Sequence, residues 1–329
     1  MIKYIFKRII YMVIVFAIMS ALLFSLYSLV PGDPARAEVE PLKDMLSAEE
    51  YNMQYEMARE RLGLDDPLYE RYFRWAGNAV FKGDLGDSRQ YKKPVLDVIK
   101  TPFKVTILYN VFVLSITLII TIPLGIITAI KKNSVFDKIV QVVTIIGFSI
   151  PAFIFALLFI YIFAVKLGWF PVSGMRTPNF VGSGWEEFKD LIWHLALPIT
   201  ALTFASLGGV TRFVRANMNE ALSMECIRTA RAKGLKERVV VLSHAWRNAL
   251  LGVITILIST LMRLFSGALI LETMFNINGM GKFLLQSLMQ QDYEVTIALN
   301  LFYIILSLTS NLLIDLSYGL VDPRVRVTK

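Results

Sequence analysis

The chemically reactive residues of the 329-residue chain do not form a familiar catalytic pattern. The only two histidines, His194 and His244, are fifty residues apart, and a single cysteine, Cys226, excludes an internal disulfide. No phosphate-binding loop of the form G-x-x-x-x-G-K-[ST] is present, because Gly281-Lys282 is followed by Phe283 and lacks the upstream glycine. We therefore predict no metal site, no catalytic residues and no ATP hydrolysis by this chain itself.

Arg263 and Asp315 each lie inside a long apolar stretch, and each is the only charged residue of its stretch. Ionisable residues in a membrane span commonly mark the route of an ion or a substrate. At 1.5 Å per residue, Arg263 lies roughly 20 Å into its stretch, whereas Asp315 lies within about two turns of the end of its own. We do not expect the two to pair. Arg263 becomes a candidate for a translocation path, together with Pro151, because proline bends helices.

Long apolar segments are the elements that must hold these residues in place. The chain is 55% apolar and 18% charged, with a mean hydropathy of +0.56, whereas soluble domains are about 45–50% apolar and about 25% charged. We therefore do not expect a soluble enzyme. Each segment reaches the roughly 18–20 residues that a helix needs to cross the bilayer, and a backbone in lipid must satisfy its own hydrogen bonds. The segments are residues 9–30, 105–130, 139–165, 191–210, 249–271 and 295–320.

The charge distribution predicts how these six transmembrane helices are oriented in an all-α, polytopic membrane protein. Residues 1–8, 131–138, 211–248 and those after 320 together carry +12, and the segments of the opposite side carry −4, which gives the net charge of +8. Because cytoplasmic loops are enriched in Lys and Arg, both termini are predicted to be cytoplasmic. This asymmetry accounts for the pI near 9.4, so we expect the lipid bilayer as a partner and no nucleic acid.

Three regions follow from this topology. Residues 1–30 hold the cytoplasmic N-terminus and the first membrane helix, since their apolar run of 22 residues exceeds that of a cleaved signal. Residues 31–104 form a small extracytoplasmic helical region. Residues 105–329 form a five-helix core with a cytoplasmic loop at 214–248.

Helix start and stop signals are clear in the extracytoplasmic region. Ser47-Ala48-Glu49-Glu50 predicts a capping box and a helix that ends near Gly63. Asp66 is predicted to be the N-cap of a second helix, with Pro67 as its first residue and Gly83 as its stop.

The loop at 214–248 combines an amphipathic pattern with a glycine. Apolar residues recur at helical intervals, basic residues lie on the other side, and Gly234 interrupts the pattern before Leu235 begins a second piece. The apolar residues are Met218, Ala221, Leu222 and Ile227, and the basic ones are Arg228, Arg231 and Lys233. A short helix, a glycine turn and a return helix are predicted. Such a unit fits a groove on a partner protein or an anionic lipid surface, and composition alone leaves both open.

The order and spacing of several motifs resemble a known family. Residues 228–235 read Arg-Thr-Ala-Arg-Ala-Lys-Gly-Leu, and they are followed by His244 and by Arg247-Asn248-Ala249-Leu250. This loop resembles the coupling loop of ABC importer permeases, and the chain resembles the oligopeptide/dipeptide branch, which includes nickel permeases. Further resemblance lies in residues 31–34, 63–65 with 67–68, 83–86, 169–171 with 174, 279–281, 292–293 and 322–324.

The resemblance implies a set of partners that no single motif shows. A permease of this kind forms the translocation path with a second homologous permease, and two cytoplasmic ATPase subunits grip the coupling loops. An extracytoplasmic peptide-binding protein delivers the substrate. ATP and Mg²⁺ are then bound by the partner subunits, and this chain needs no cofactor. The implied location is the cytoplasmic membrane of a bacterium or archaeon, with multiple passes.

The implied site is the coupling loop. Gly234 makes its turn, Ala230 and Ala232 allow close seating in the ATPase groove, and the basic residues meet acids or carbonyl groups there. The predicted coupling residues are Glu220, Arg228, Thr229, Ala230, Arg231, Ala232, Lys233, Gly234, Leu235, Arg247 and Asn248. Import of nickel or another small solute, secondary transport without ATPases, and a membrane receptor or assembly factor remain alternatives.

Overall fold

The computed structural model describes residues 2–30 and 32–321, and these residues form helices with no β-strand. The all-α prediction is therefore confirmed. The first six helices are α1 (Ile2–Ser28), α2 (Pro34–Val39), α3 (Ala48–Leu62), α4 (Leu68–Lys82), α5 (Val95–Ile130) and α6 (Val135–Ser149). They are followed by α7 (Ala152–Phe159), α8 (Gly184–Leu222), α9 (Glu225–Ala232), α10 (Glu237–Val239), α11 (Trp246–Met262), α12 (Leu269–Met274), α13 (Met280–Met289) and α14 (Tyr293–Val321). Pro31 and the motif at 322–324 lie outside the described residues.

Five of the predicted spans are helical segments long and apolar enough to cross a membrane: Ile5–Ser28, Val95–Ile130, Gly184–Leu222, Glu237–Met274 and Tyr293–Ser317. The stretch at 139–165 is instead a pair of helical segments, Val135–Ser149 (α6) and Ala152–Lys166 (α7 and the π-helical turn after it), bent by 100°. Counted as one span, this pair brings the number to six.

Pro151 lies at this bend. The apolar pattern predicted that it would lie inside a continuous membrane helix, and the structure corrects this prediction. Pro151 precedes α7, and Ile150 before it has extended backbone angles of −94° and 128°. The residue before a proline is sterically pushed out of the helical region, and proline has no N–H to continue the hydrogen-bond ladder. Hydropathy does not register either effect, so a continuous span was predicted.

Gly208 lies in the interior of α8, at the point where this helix packs against α6. α8 continues to Leu222. A Cβ added at Gly208 would lie 2.3 Å from the carbonyl oxygen of Thr144 and 2.9 Å from the backbone nitrogen of Phe148. The glycine therefore permits close approach of α6 and α8 and leaves the helix intact.

The chain forms two compact units. Unit A contains residues 1–6, 102–283 and 306–329, and unit B contains residues 7–101 and 284–305. The division by membrane side into residues 1–30, 31–104 and 105–329 describes a different property and stays a prediction.

Unit B confirms most of the predicted helix signals. Ser47 and Glu50 form the predicted capping box, and Gly63 and Gly83 end α3 and α4 in the left-handed conformation. The second helix begins one residue later than predicted, since Pro67 is its N-cap and Asp66 lies outside. Asp66 instead forms an ion pair with Arg74.

Unit A contains two apolar clusters. One joins α8, α9 and α11 with the π-helical turn Val240–Ala245, and includes Val214 and Met218. The other joins α5, α7, α8 and α12, and includes Tyr109 and Phe275. These two clusters position the candidate site residues.

Candidate functional site

The predicted helix–turn–helix of the loop is present at α9, Gly234 and α10. α9 covers Glu225–Ala232, and Gly234 has a φ of +72°, in the left-handed region that favours glycine. The Gly234 N–H donates to the carbonyl of Arg231 at 2.9 Å, which closes the end of α9. Met218, Ala221 and Leu222, predicted to share the amphipathic helix, belong to the last turns of α8 instead.

The apolar face of α9 is anchored to the rest of unit A. Ile227 is fully buried and Ala230 is only 5% exposed, in one cluster with Met218, Val240 and Ala245. The methyl group of Ala230 packs inside this chain, and its seating in a partner groove stays a prediction. Ala232 is exposed and remains a candidate contact.

The opposite face of the segment is exposed and basic. Arg228 pairs with Glu225 at 2.6 Å, and Arg231 pairs with Glu237 at 2.6 Å. The hydrogen bonds from Arg231 to Glu237 raise the pKa of the guanidinium, which stays charged. Among the predicted coupling residues, those exposed are Glu220, Arg228, Thr229, Arg231, Ala232, Lys233, Gly234, Leu235 and Arg247, and Asn248 is half-buried.

Among the predicted coupling residues, Lys233, at the end of α9, and Arg247, in the first turn of α11, have no carboxylate partner in the part of the chain that the structure describes. Asn248 donates to the carbonyl of His244 at 2.7 Å and so supports the start of α11. The segment thus exposes positive charge, unpaired among the described residues, on one side, while its apolar side is packed against the rest of unit A.

A buried ion pair braces α8 just before the segment. Nε and one terminal nitrogen of Arg215 each donate to Asp137 at 2.8 Å, and the Asp137 side chain is 0% exposed. Asp137 also accepts from the backbone N–H of Asn133 at 2.9 Å. A bidentate Arg–carboxylate pair fixes geometry as well as charge, so the start of α6 is tied to the end of α8.

Arg263, the candidate path residue, lies at the end of α11, in a 3₁₀ turn that covers Arg263–Phe265. The apolar stretch at 249–271 is therefore broken at this point and resumes as α12. Arg263 lines a cavity of about 230 Å³ within unit A. The cavity is also lined by Asn110, Val113, Leu114, Thr117, Leu202, Ser206, Thr260, Leu264, Ser266, Gly267 and Ala268. Pro151 is not among the lining residues, and its assignment to the path stays a prediction.

Glu272 forms a second polar centre, on α12. Its side chain is 1% exposed and accepts from the Tyr109 hydroxyl at 2.5 Å and from the backbone N–H groups of Ala268 at 3.0 Å and Lys282 at 2.8 Å. Thr106 accepts from the N–H of Met280 at 2.8 Å. These contacts tie α5, α12 and the start of α13 together beside the break after Arg263.

Gly279 and Gly281 allow close packing around Glu272 and Leu269 because they have no side chain. A Cβ at Gly279 would lie 2.5 Å from the Glu272 carboxyl carbon, and one at Gly281 would lie 2.6 Å from the backbone nitrogen of Leu269. The segment 279–281 is one of the motifs that carry the family resemblance. It is the closely packed entry to α13, which begins at Met280.

Sequence reasoning missed the Arg215–Asp137 pair and the Glu272 centre. Asp137 and Arg215 are separated by 78 positions, and Tyr109 and Glu272 by 163 positions. The available signal was that Asp137 and Glu272 are acids that adjoin long apolar stretches. An acid in such a place needs donors, although the sequence does not say which ones.

Comparison with known proteins identifies the chain. Residues 121–327 match the family described as binding-protein-dependent transport system inner membrane component, and residues 1–110 match its N-terminal component. The chain belongs to this family. It is therefore an ABC importer permease of the peptide family and a multi-pass protein of the cytoplasmic membrane. Membership also implies a complex with other permease and ATPase subunits.

Three related proteins match almost the whole chain. It is 36% identical over 328 residues to the oligopeptide transport system permease protein AppB of Bacillus subtilis, with 99% of each chain covered. It is 38% identical over 311 residues, 94% of each chain, to a Brucella suis protein that bears the name of a peptide permease. It is 33% identical over 326 residues, 99% of each chain, to the glutathione transport system permease protein GsiC of Escherichia coli.

Proposed function

We propose that the chain is the permease subunit of an ATP-driven importer of oligopeptides or dipeptides, and that the segment α9–Gly234–α10 couples it to separate ATPase subunits. The observation that carries the proposal is that α9 has one buried apolar face and one exposed basic face. Its apolar face is buried against α8 and α11, and its other face exposes Lys233, which has no ion partner in the described chain. The relatives' names support a peptide substrate.

Coupling follows from the way in which α9 is anchored. The cluster around Ile227 contains side chains of α8 and α11, so a displacement of α9 is transmitted to two membrane helices. Packed cores do not deform continuously, which favours movement of these helices as a body. ATP binding that closes two ATPases would then shift the permease between its inward- and outward-facing states through differential affinity.

The partners follow from this assignment. A second homologous permease completes the path, two cytoplasmic ATPases bind ATP and Mg²⁺, and an extracytoplasmic binding protein delivers the peptide. Both termini and the segment α9–α10 are cytoplasmic in this proposal, in agreement with the +12 charge of that side.

Co-purification followed by transport tests the proposal. The chain is expressed with its genomic neighbours, and the complex is expected to contain two ATPases and a second permease. In proteoliposomes with the binding protein, ATP should drive uptake of a labelled peptide and leave Ni²⁺ outside. Uptake of Ni²⁺ in place of peptide would contradict the substrate class, and uptake without ATPases would contradict the transporter class.

A further inference from the structure

The cavity beside Arg263 contains one charged group and no opposite charge. None of its twelve lining residues is Asp or Glu, and Arg263 forms no ion pair within the described chain. Five of the other lining residues carry hydroxyl or amide groups: Asn110, Thr117, Ser206, Thr260 and Ser266. Arg263 is exposed at the surface of the chain, and ionisable residues within membrane spans commonly face a substrate route or a water-filled cavity.

Thr117 supplies an independent sign that the cavity is built for a ligand. Thr117 is 1% exposed, and its hydroxyl has no hydrogen-bond partner among the described residues. Five buried side-chain atoms of the described residues have no partner, namely Arg59 Nε and the hydroxyls of Thr117, Thr121, Thr203 and Thr211, and Thr117 is the one that lines this cavity. A group from outside the chain would satisfy its hydroxyl. Thr260 differs, because its hydroxyl already donates to the carbonyl of Ile256 at 2.6 Å.

No backbone carbonyl group of the described residues accepts a hydrogen bond from the Arg263 guanidinium. The carbonyl groups of Arg263, Leu264 and Ser266, left open by the end of α11, lie 3.1–3.2 Å from the side-chain nitrogen of Asn110. Asn110 and the Ser266 N–H donate to carbonyl groups at this helix end, and the Arg263 guanidinium has no hydrogen bond or ion pair among the described residues. The donors of Arg263 stay available for an acceptor in the cavity.

We propose that this cavity binds the carboxylate of a peptide substrate during its passage through the permease. A guanidinium matches the two oxygens of a carboxylate in a bidentate geometry, and the Thr117 hydroxyl adds a third donor. The volume of about 230 Å³ is smaller than the range of about 300–1,000 Å³ of sites that enclose a whole drug-sized ligand. It holds one end of a peptide, not the entire molecule. This inference rests on the proposed function and names the group that the permease recognises.

A transport experiment compares two peptides that differ in one group. Trialanine with a free carboxylate and its C-terminal amide are supplied below saturation to proteoliposomes that contain the complete complex and the binding protein. Because the binding protein is the same throughout, its own preference cancels when variants are compared. Arg263→Gln should lower uptake of the acid about tenfold relative to the amide, the scale of a lost charged hydrogen bond. Arg263→Lys should retain part of the preference.

The possible results distinguish a failure of the carboxylate site from a failure of the proposed transport function. Equal loss of acid and amide uptake in Arg263→Gln, or no loss of either, would overturn the carboxylate site and leave the proposed function in place. Failure of the wild-type complex to import either peptide would overturn the proposed function and the inference with it.

A labelling experiment needs no change at Arg263. Ser206→Cys places a thiol in the cavity, in a Cys226→Ser background that removes the native exposed thiol. The rate of alkylation by N-ethylmaleimide is measured in the purified complex with trialanine or with its amide. Slower alkylation with the acid alone supports the site. Equal rates with both peptides would contradict it, including the case in which buffer anions fill the cavity.

Discussion

At the scale of single residues, Arg215–Asp137 is an ion pair with a fully buried carboxylate that ties the start of α6 to the end of α8. Removing one partner of a buried pair leaves the other charge without compensation, which costs more than the pair itself contributes. The exposed pair Arg228–Glu225 should behave differently, because water and salt screen it.

Asp137→Asn should therefore destabilise the permease by roughly 3 kcal/mol, since it leaves the Arg215 guanidinium without its carboxylate. The measurement is thermal unfolding of the purified complex in detergent, followed by intrinsic fluorescence. Glu225→Gln is the matched control, with an expected change close to zero. Equal unfolding temperatures for Asp137→Asn and the wild type would show that the buried pair does not brace α8.

Gly234→Val should abolish coupling and leave membrane insertion intact. No atom lies within 4 Å of the position of an added Cβ, so the effect comes from the φ of +72°, which is costly for a β-branched residue. The measurement is peptide-stimulated ATP hydrolysis by the reconstituted complex. Gly234→Asn is the control, because asparagine tolerates this conformation, and it should retain much of the stimulation. Normal stimulation in Gly234→Val would refute the role of the turn.

The role of Gly234 could be predicted from the sequence, whereas the partners of Asp137 and Glu272 could not. The turn at Gly234 was predictable because a glycine that interrupts an amphipathic pattern is a local signal. The partner of Asp137 was not, since 78 positions separate it from Arg215 and no local rule connects them. The same holds for Glu272, whose donors come from α5 and from the start of α13.

At the scale of elements, α9 is a short helix whose stability comes from packing. An isolated helix of eight residues is too short to be stable in water. Its burial through Ile227 and Ala230 therefore decides whether the coupling surface has a fixed shape.

Ile227→Ala should detach α9, with a cost of about 2–5 kcal/mol for a fully buried side chain. The expected results are faster trypsin cleavage between Arg228 and Lys236 and weaker peptide-stimulated ATP hydrolysis. Leu242→Ala, at a side chain that is 45% exposed, is the control and should change neither. Unchanged cleavage in Ile227→Ala would show that the cluster does not hold α9.

Hydropathy predicted the membrane helices well and their interruptions poorly. The bend at Pro151 and the end of α11 before Arg263 lie inside continuous apolar runs, so composition gave no warning. Capping signals were more informative, because the capping box at Ser47 and the glycine at Gly63 act through local backbone geometry. One consequence is that Arg263 lies at a helix end, where it lines a cavity that also contains hydroxyl and amide groups.

At the scale of the whole molecule, the charge asymmetry gives a prediction of sidedness. In a Cys226→Ser background, Lys82→Cys and Lys233→Cys place single thiols in the regions predicted to be extracytoplasmic and cytoplasmic. A membrane-impermeant maleimide should label Lys82→Cys in intact cells and Lys233→Cys only after permeabilisation. The reverse pattern would invert the predicted topology.

The all-α polytopic fold followed from composition because apolar segments of this length have few alternatives in lipid. The division into units A and B did not follow. It joins residues 7–101 with 284–305, which are far apart in the chain and become neighbours only through tertiary packing.

The most direct test of the account is the amount of peptide imported per ATP hydrolysed by the complete complex in proteoliposomes. A double charge reversal, Lys233→Glu with Arg247→Glu, places negative charge on the proposed ATPase-binding surface. The account predicts that this variant loses ATP-driven import and co-purifies poorly with the ATPases, whereas the control Lys82→Glu matches the wild type. Wild-type import by the double variant, with normal ATPase binding, would contradict the central claim that this surface carries the coupling.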